Sequence, residues 1–122
     1  MDNNRSLIEA HQIRTEWSNK LDFYQDELLI LQKKLYKTVD AHPDLPSIIE
    51  HFNEYRAIIK KKLDKIDELR FTLLLAEKQL NREMGDQPMN ALGAQPNDFF
   101  QFESNIEAFK NQIRRFIAKN MK

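Results

Sequence analysis

Ala41-His42-Pro43-Asp44-Leu45-Pro46-Ser47 is the stretch that decides the fold. Pro43 and Pro46 each lack an N–H donor and restrict the residue before them, so a helix entering this stretch cannot continue through it. It is too short for anything but a turn between helices, and the sequence on either side is helical.

Upstream, Leu7, Ala10, Arg14, Trp17, Leu21, Tyr24, Leu28, Leu31 and Leu35 recur at alternating spacings of three and four, which places them on one seam of a long helix. Arg14 alone interrupts the seam. Ser6 and Glu9 have capping-box spacing, although Asp2 offers an earlier start. Downstream, Phe52, Ile59, Ile66, Leu73 and Leu80 recur every seven residues, with Tyr55, Leu63, Leu69, Ala76 and Met84 beside them. This second set alternates between two heptad positions, as expected of a helix touching more than one partner. Asp44 ahead of Pro46, or Ser47 with Glu50, caps its start. Gly85 suits the residue after its end, and 85–97 reads as a flexible connector or a small functional loop. Asn97 or Asp98 then caps a third helix with the stripe Phe99, Phe102, Ile106, Phe109, Ile113 and Phe116, a spacing that reads as core. The expectation is one all-α domain over 1–122: an elongated antiparallel three-helix coiled-coil bundle. Its long helical hairpin and shorter third helix span about 4–39, 45–84 and 98–120.

Composition agrees. With 122 residues, of which 41% are hydrophobic, the chain can bury one modest core. Two glycines and four prolines are few for sheets and turns. The 19 basic and 19 acidic side chains cancel, leaving no long-range field toward nucleic acid or an anionic membrane. The absence of Cys excludes disulfides, thiolate metal sites and cysteine nucleophiles. The start has no signal-peptide pattern, and no apolar run approaches about 18 residues, so a cytoplasmic protein without membrane insertion is expected.

Charge gives a provisional register. If residues numbered symmetrically about the turn lie side by side, Asp22, Asp26 and Glu27 face Lys60, Lys61, Lys62 and Lys65, while Glu50 and Glu54 face Lys33, Lys34 and Lys37. The lysine run Lys60 to Lys65 is then neutralised. It also lacks interleaved aromatics for stacking, so no nucleic-acid partner is expected.

No catalytic constellation emerges. Di-iron bundles need Glu-x-x-His pairs, and none occurs; His11, His42 and His51 share no metal-ligand spacing. Gly85 and Gly93 form no phosphate-cradling loop. Ser104 has no nearby His, and the adjacent Asp67 and Glu68 point to different helix faces. No enzyme activity, cofactor or metal is expected. Arg14 and Arg70 lie at matching heights on or near the seams. They should pair with Glu77, Glu16 or Asp67; the sharper alternative is a ligand or anion site between helices, with His11 nearby and the 85–97 loop above.

The third helix, about 33 Å long, cannot cover a hairpin of about 50 to 57 Å. Folding straight back, it would cover the end near Trp17 and Leu73. Phe23, Leu28, Leu29, Ile30, Leu31, Phe52, Tyr55, Ile58 and Ile59 would then form a bare two-helix section at the turn end. A loop reaching further would move the bare section to the opposite end. Exposed apolar area of this kind favours a homo-oligomer, most simply a dimer, or a helical protein partner, with Phe23, Leu28, Ile30, Leu31, Phe52, Tyr55 and Ile59 at the interface.

Trp17, Leu21, Phe23, Asp26-Glu27 and Leu28, with Glu50-His51-Phe52-x-Glu54 and Phe116-Ile117-Ala118-Lys119 followed by Met121, form a combination that resembles a small all-helical protein family of Bacteroidetes-type bacteria. The resemblance implies an all-α fold over nearly the whole chain. No activity is known for that family, so it implies no functional residue.

Overall fold

A computed structural model describes residues 2–82 and 96–120, with side chains described for 8–78 and 97–120. The described chain is all-α: α1 spans Asp2–Ala41, α2 Pro46–Arg82 and α3 Pro96–Asn120. The side chains of Leu7 and Leu80, together with Met84, Gly85, Gly93 and most of the expected 85–97 loop, lie outside what is described.

The helix ends differ from expectation in instructive ways. Ser6 lies within α1, which begins at Asp2, so it is not the cap. At the turn, His42 N–H donates to the Val39 carbonyl (3.0 Å), and Leu45 N–H to the His42 carbonyl (3.4 Å). The Leu45 carbonyl then accepts from Ile48 (3.1 Å) and Ile49 (3.2 Å). Leu45 is therefore the N-cap residue of α2, with Pro46 at the first helical position, where its missing N–H costs nothing. Neither Asp44 nor Ser47 occupies the cap. Pro96 plays the same part in α3, and Asp98 sits in the first turn, favourably placed against the helix dipole.

The seams meet as their spacing requires. Trp17, Leu21, Tyr24, Leu28, Leu31 and Leu35 from α1 join Phe52, Tyr55, Ile59, Ile66, Leu69 and Leu73 from α2 and Phe99, Phe102, Ile106, Phe109 and Ile113 from α3 in one buried cluster. Leu63 and Phe116 pack against it half-buried. Antiparallel pairing of α1 and α2 is fixed at one end by Tyr36 against Phe52 (ring centroids 5.1 Å) and at the other by Arg14 bonded to Glu77.

Two expectations are corrected. First, the partners of α1 lie about one to two helical turns further along α2 than expected, and only part of that shift comes from α1 continuing to Ala41. Asp22 consequently meets Arg70, at 2.6 Å. Glu27 turns to Lys110 and Arg114 of α3, and Lys65 pairs with Glu68 and Asp98. Among the described residues, the expected ladder between the acids of α1 and Lys60 to Lys62 does not form.

Second, α3 covers the turn end. It runs parallel to α1 and antiparallel to α2: Phe99 meets Trp17 at 5.2 Å, Phe102 meets Tyr24 at 6.1 Å, and Tyr55 meets Phe109 at 6.1 Å and Phe116 at 5.1 Å. Beyond them, His42 Nε2–H donates to the Asn120 carbonyl, at 2.7 Å. Leu28, Leu31, Phe52, Tyr55 and Ile59 are therefore core residues, Ile58 is half-buried, and only Phe23, Leu29 and Ile30 of the expected bare section are exposed. The stretches of α1 before Trp17 and of α2 beyond Lys65 extend past the start of α3.

Candidate functional site

Three surface regions remain as candidates: the apolar open end, the arginine groove beside it, and a lysine-lined groove between α2 and α3.

At the open end, Ile8 and Ile13 from α1 and Phe71, Leu74 and Leu75 from α2 are exposed, with Phe71 and Ile8 each 59% exposed. The stretch Phe71-Thr72-Leu73-Leu74-Leu75-Ala76 is apolar around much of the helix, and only Leu73 and Ala76 are buried. Phe100, which rests edge-on against Trp17 at 5.7 Å, adds exposed aromatic surface where α3 begins. Phe71, Leu74 and Leu75, spaced three and four apart, share one face of α2, and exposed apolar side chains grouped in this way are the expected mark of a contact surface.

The two seam arginines lie nearby without forming one unit. Arg14 is buried, donates from Nε to Glu77, and leaves Nη1 without a hydrogen-bond partner. His11 Nδ1 lies 3.3 Å from the other Glu77 oxygen. The Arg14 hydrogen bond holds the Glu77 carboxyl below the usual carboxylate range against the opposing effect of burial, and His11 assists. Arg70 holds Asp22 at 2.6 Å and Gln25, with Asp67 at 3.6 Å. Both arginines, with Thr15, Ser18, Leu73, Leu74 and Glu77, line a shallow groove of about 400 Å³. Each guanidinium already faces a carboxylate, so the groove offers an incoming anion little net positive charge.

The histidines stand apart. His11 is at Glu77, His42 at the end of α3, and His51 between Glu54 (3.7 Å) and the rings of Tyr55 and Phe116. Among the described residues no group of three acids or histidines comes together in metal-binding geometry. No helix among them is long and apolar enough to cross a membrane.

The third region contains the lysine run that the sequence suggests as a phosphate-binding strip but for its expected acidic neighbours on α1; its second wall, on α3, was not legible in the sequence. Lys61, Lys62 and Lys65 of α2 and Asp98, Gln101, Phe102 and Asn105 of α3 line a groove of about 270 Å³. Lys62 lies 5.5 Å from the centre of the Phe109 ring, and burial lowers its proton affinity below that of an ordinary lysine. Lys110 was also missed: it is almost wholly buried in α3, bound to Glu27 and 3.3 Å from Glu107, with the rings of Phe23 and Tyr24 within 6 Å. A buried lysine carries no signature in a hydrophobic pattern; only its place one residue after Phe109 hinted at it.

Comparison with known proteins finds no matching protein family, no matching curated protein and no matching solved structure.

Proposed function

We propose that this chain is a non-catalytic, cytoplasmic helical interaction module that self-associates as a coiled-coil-like dimer through the open end of its hairpin. The observation that carries the reading is the set of exposed Ile8, Ile13, Phe71, Leu74 and Leu75 on the two helix ends that reach past α3. A second copy is the simplest occupant. A two-helix section presents the same ridges on each protomer, so a twofold arrangement packs apolar surface against its own likeness. Zero net charge also means that copies do not repel one another at long range. A helical segment of another protein, laid along the same ridges, is the other form of this reading.

Sedimentation equilibrium of the full chain tests it. The expected result is a monomer–dimer equilibrium that Leu74→Asp and Phe71→Asp each shift toward monomer while helicity is retained. A strict monomer at high micromolar concentration overturns the self-association. The alternative of a ligand site at Arg14 and Arg70 is less well supported, because Glu77, Asp22 and Asp67 already answer their charge.

A further inference from the structure

Among the described residues several lysines have no carboxylate partner, and one group of them, on α2, faces a second helix across a groove. Asp22 is taken by Arg70, and Glu27 by Lys110 and Arg114, so two of the three carboxylates expected to neutralise the lysine run are engaged elsewhere. Among the described residues Lys60, Lys61 and Lys62 have no carboxylate partner, and Lys65 shares Asp98 (3.8 Å) and Glu68 (3.5 Å). Lys61 and Lys65 are four residues apart and Lys62 and Lys65 three apart, so all three ammonium groups lie over one stretch of helix surface. They line the same groove as the carboxamides of Gln101 and Asn105 on the facing helix.

We propose that this groove between α2 and α3 binds a phosphate-monoester dianion, held by Lys61, Lys62 and Lys65 on one wall and by the amide N–H groups of Gln101 and Asn105 on the other. The charge matches. Lys61 and Lys62 are unpaired among the described residues while Lys65 is shared between Asp98 and Glu68, so the groove keeps a net positive charge for an anionic phosphoryl group. A tetrahedral phosphoryl group can take donors from both walls at once, and lysine serves such groups as a mobile point charge. Lys62 has the most to gain. It is half-buried against Phe109 with its charged form disfavoured by desolvation, and an anion at its head would reverse that effect. The groove, about 270 Å³ and open to solvent, offers Phe102 as an apolar contact beside the phosphoryl group. Such a monoester occurs free in solution or as a lipid headgroup, and the groove's chemistry is the same for both.

The site is independent of the dimer surface, so either reading can fail without the other. The test titrates the full-length protein at low ionic strength with glycerol 3-phosphate, and separately with vesicles containing phosphatidic acid, by calorimetry and by NMR of the lysine and carboxamide groups. Expected is saturable one-to-one binding of at least one probe, with shifts at the Gln101 and Asn105 carboxamides and a raised pKa at Lys62. Lys62→Gln and Lys61→Gln should each weaken binding about tenfold, as loss of one charge-assisted contact does, while Lys37→Gln leaves it unchanged. Binding of glycerol 3-phosphate assigns a soluble ligand, and binding of vesicles alone assigns a headgroup. The proposal is overturned if neither probe saturates at millimolar phosphate. It is also overturned if the wild-type carboxamide shifts fall elsewhere, or if Lys37→Gln weakens binding as much as Lys62→Gln.

Discussion

Arg14 is the residue at which the seam's pattern and the seam's chemistry part company. A heptad position asks for an apolar side chain, and Arg14 answers with a buried guanidinium whose compensation rests on Glu77. Glu77 binds its proton less tightly in the folded chain than in the unfolded one. Its contribution to stability is therefore complete above the ordinary glutamate range, about pH 4 to 5, and is lost as pH falls through the lower folded value. Glu77→Gln should be less stable than the parent at neutral pH, and the gap should close on acidification. Urea denaturation between pH 7 and pH 3 measures this, and a gap of constant size would contradict it. That Arg14 needs a carboxylate was legible, with Glu77 one of three candidates, because Arg14 interrupts an otherwise apolar seam and a buried guanidinium must be paired. The orphaned Nη1 was not, since it depends on how His11 and Arg14 divide the two oxygens of one carboxylate.

At the scale of the element, the question is what places α3 at the turn end. Each helix was legible from its own period: every described member of the α1 seam from Ala10 to Leu35 is buried, as is the α3 stripe from Phe99 to Ile113. The docking position was not, because both ends of the hairpin present the same apolar heptad and periodicity cannot rank them. Specific contacts do. Glu27 with Lys110, Tyr24 O–H donating to Glu103 at 2.7 Å, and His42 holding the Asn120 carbonyl all fit this placement alone. Lys110 is buried and Glu27 nearly so, which makes the pair specific more than stabilising. Glu27→Ala should cost about 2 kcal/mol, since Lys110 keeps only the more exposed Glu107 as counter-charge, whereas Glu27→Leu combined with Lys110→Met should recover most of that loss. A double-mutant cycle in urea decides it, and additive effects would remove the pair from the docking argument. At the far end of α3, His42→Ala should cost about 1 kcal/mol and loosen the last turn, seen as faster amide exchange there than near Phe102.

For the whole molecule, placing α3 at the turn end reverses the meaning of the obvious substitutions. Leu28 and Ile59 would have been interface residues on a bare hairpin, but both are fully buried within the chain. Leu28→Asp should therefore unfold the protein at every concentration, because it places an unpaired carboxylate in the core. Leu74→Asp lies on surface left exposed and should leave the isolated fold nearly unchanged. The two behaviours separate through mass action. If dimerisation is coupled to folding, the parent's Tm rises with protein concentration. Leu74→Asp should retain parental helicity at low concentration and lose the concentration dependence of Tm, while Leu28→Asp should lose the cooperative transition itself. Thermal melts followed by circular dichroism over a hundredfold range of concentration, about what is needed to resolve such a slope, distinguish the outcomes. A parent Tm that stays flat across that range would leave the open end without a second copy to cover it, and the helical-partner form of the proposal would then be the one to pursue.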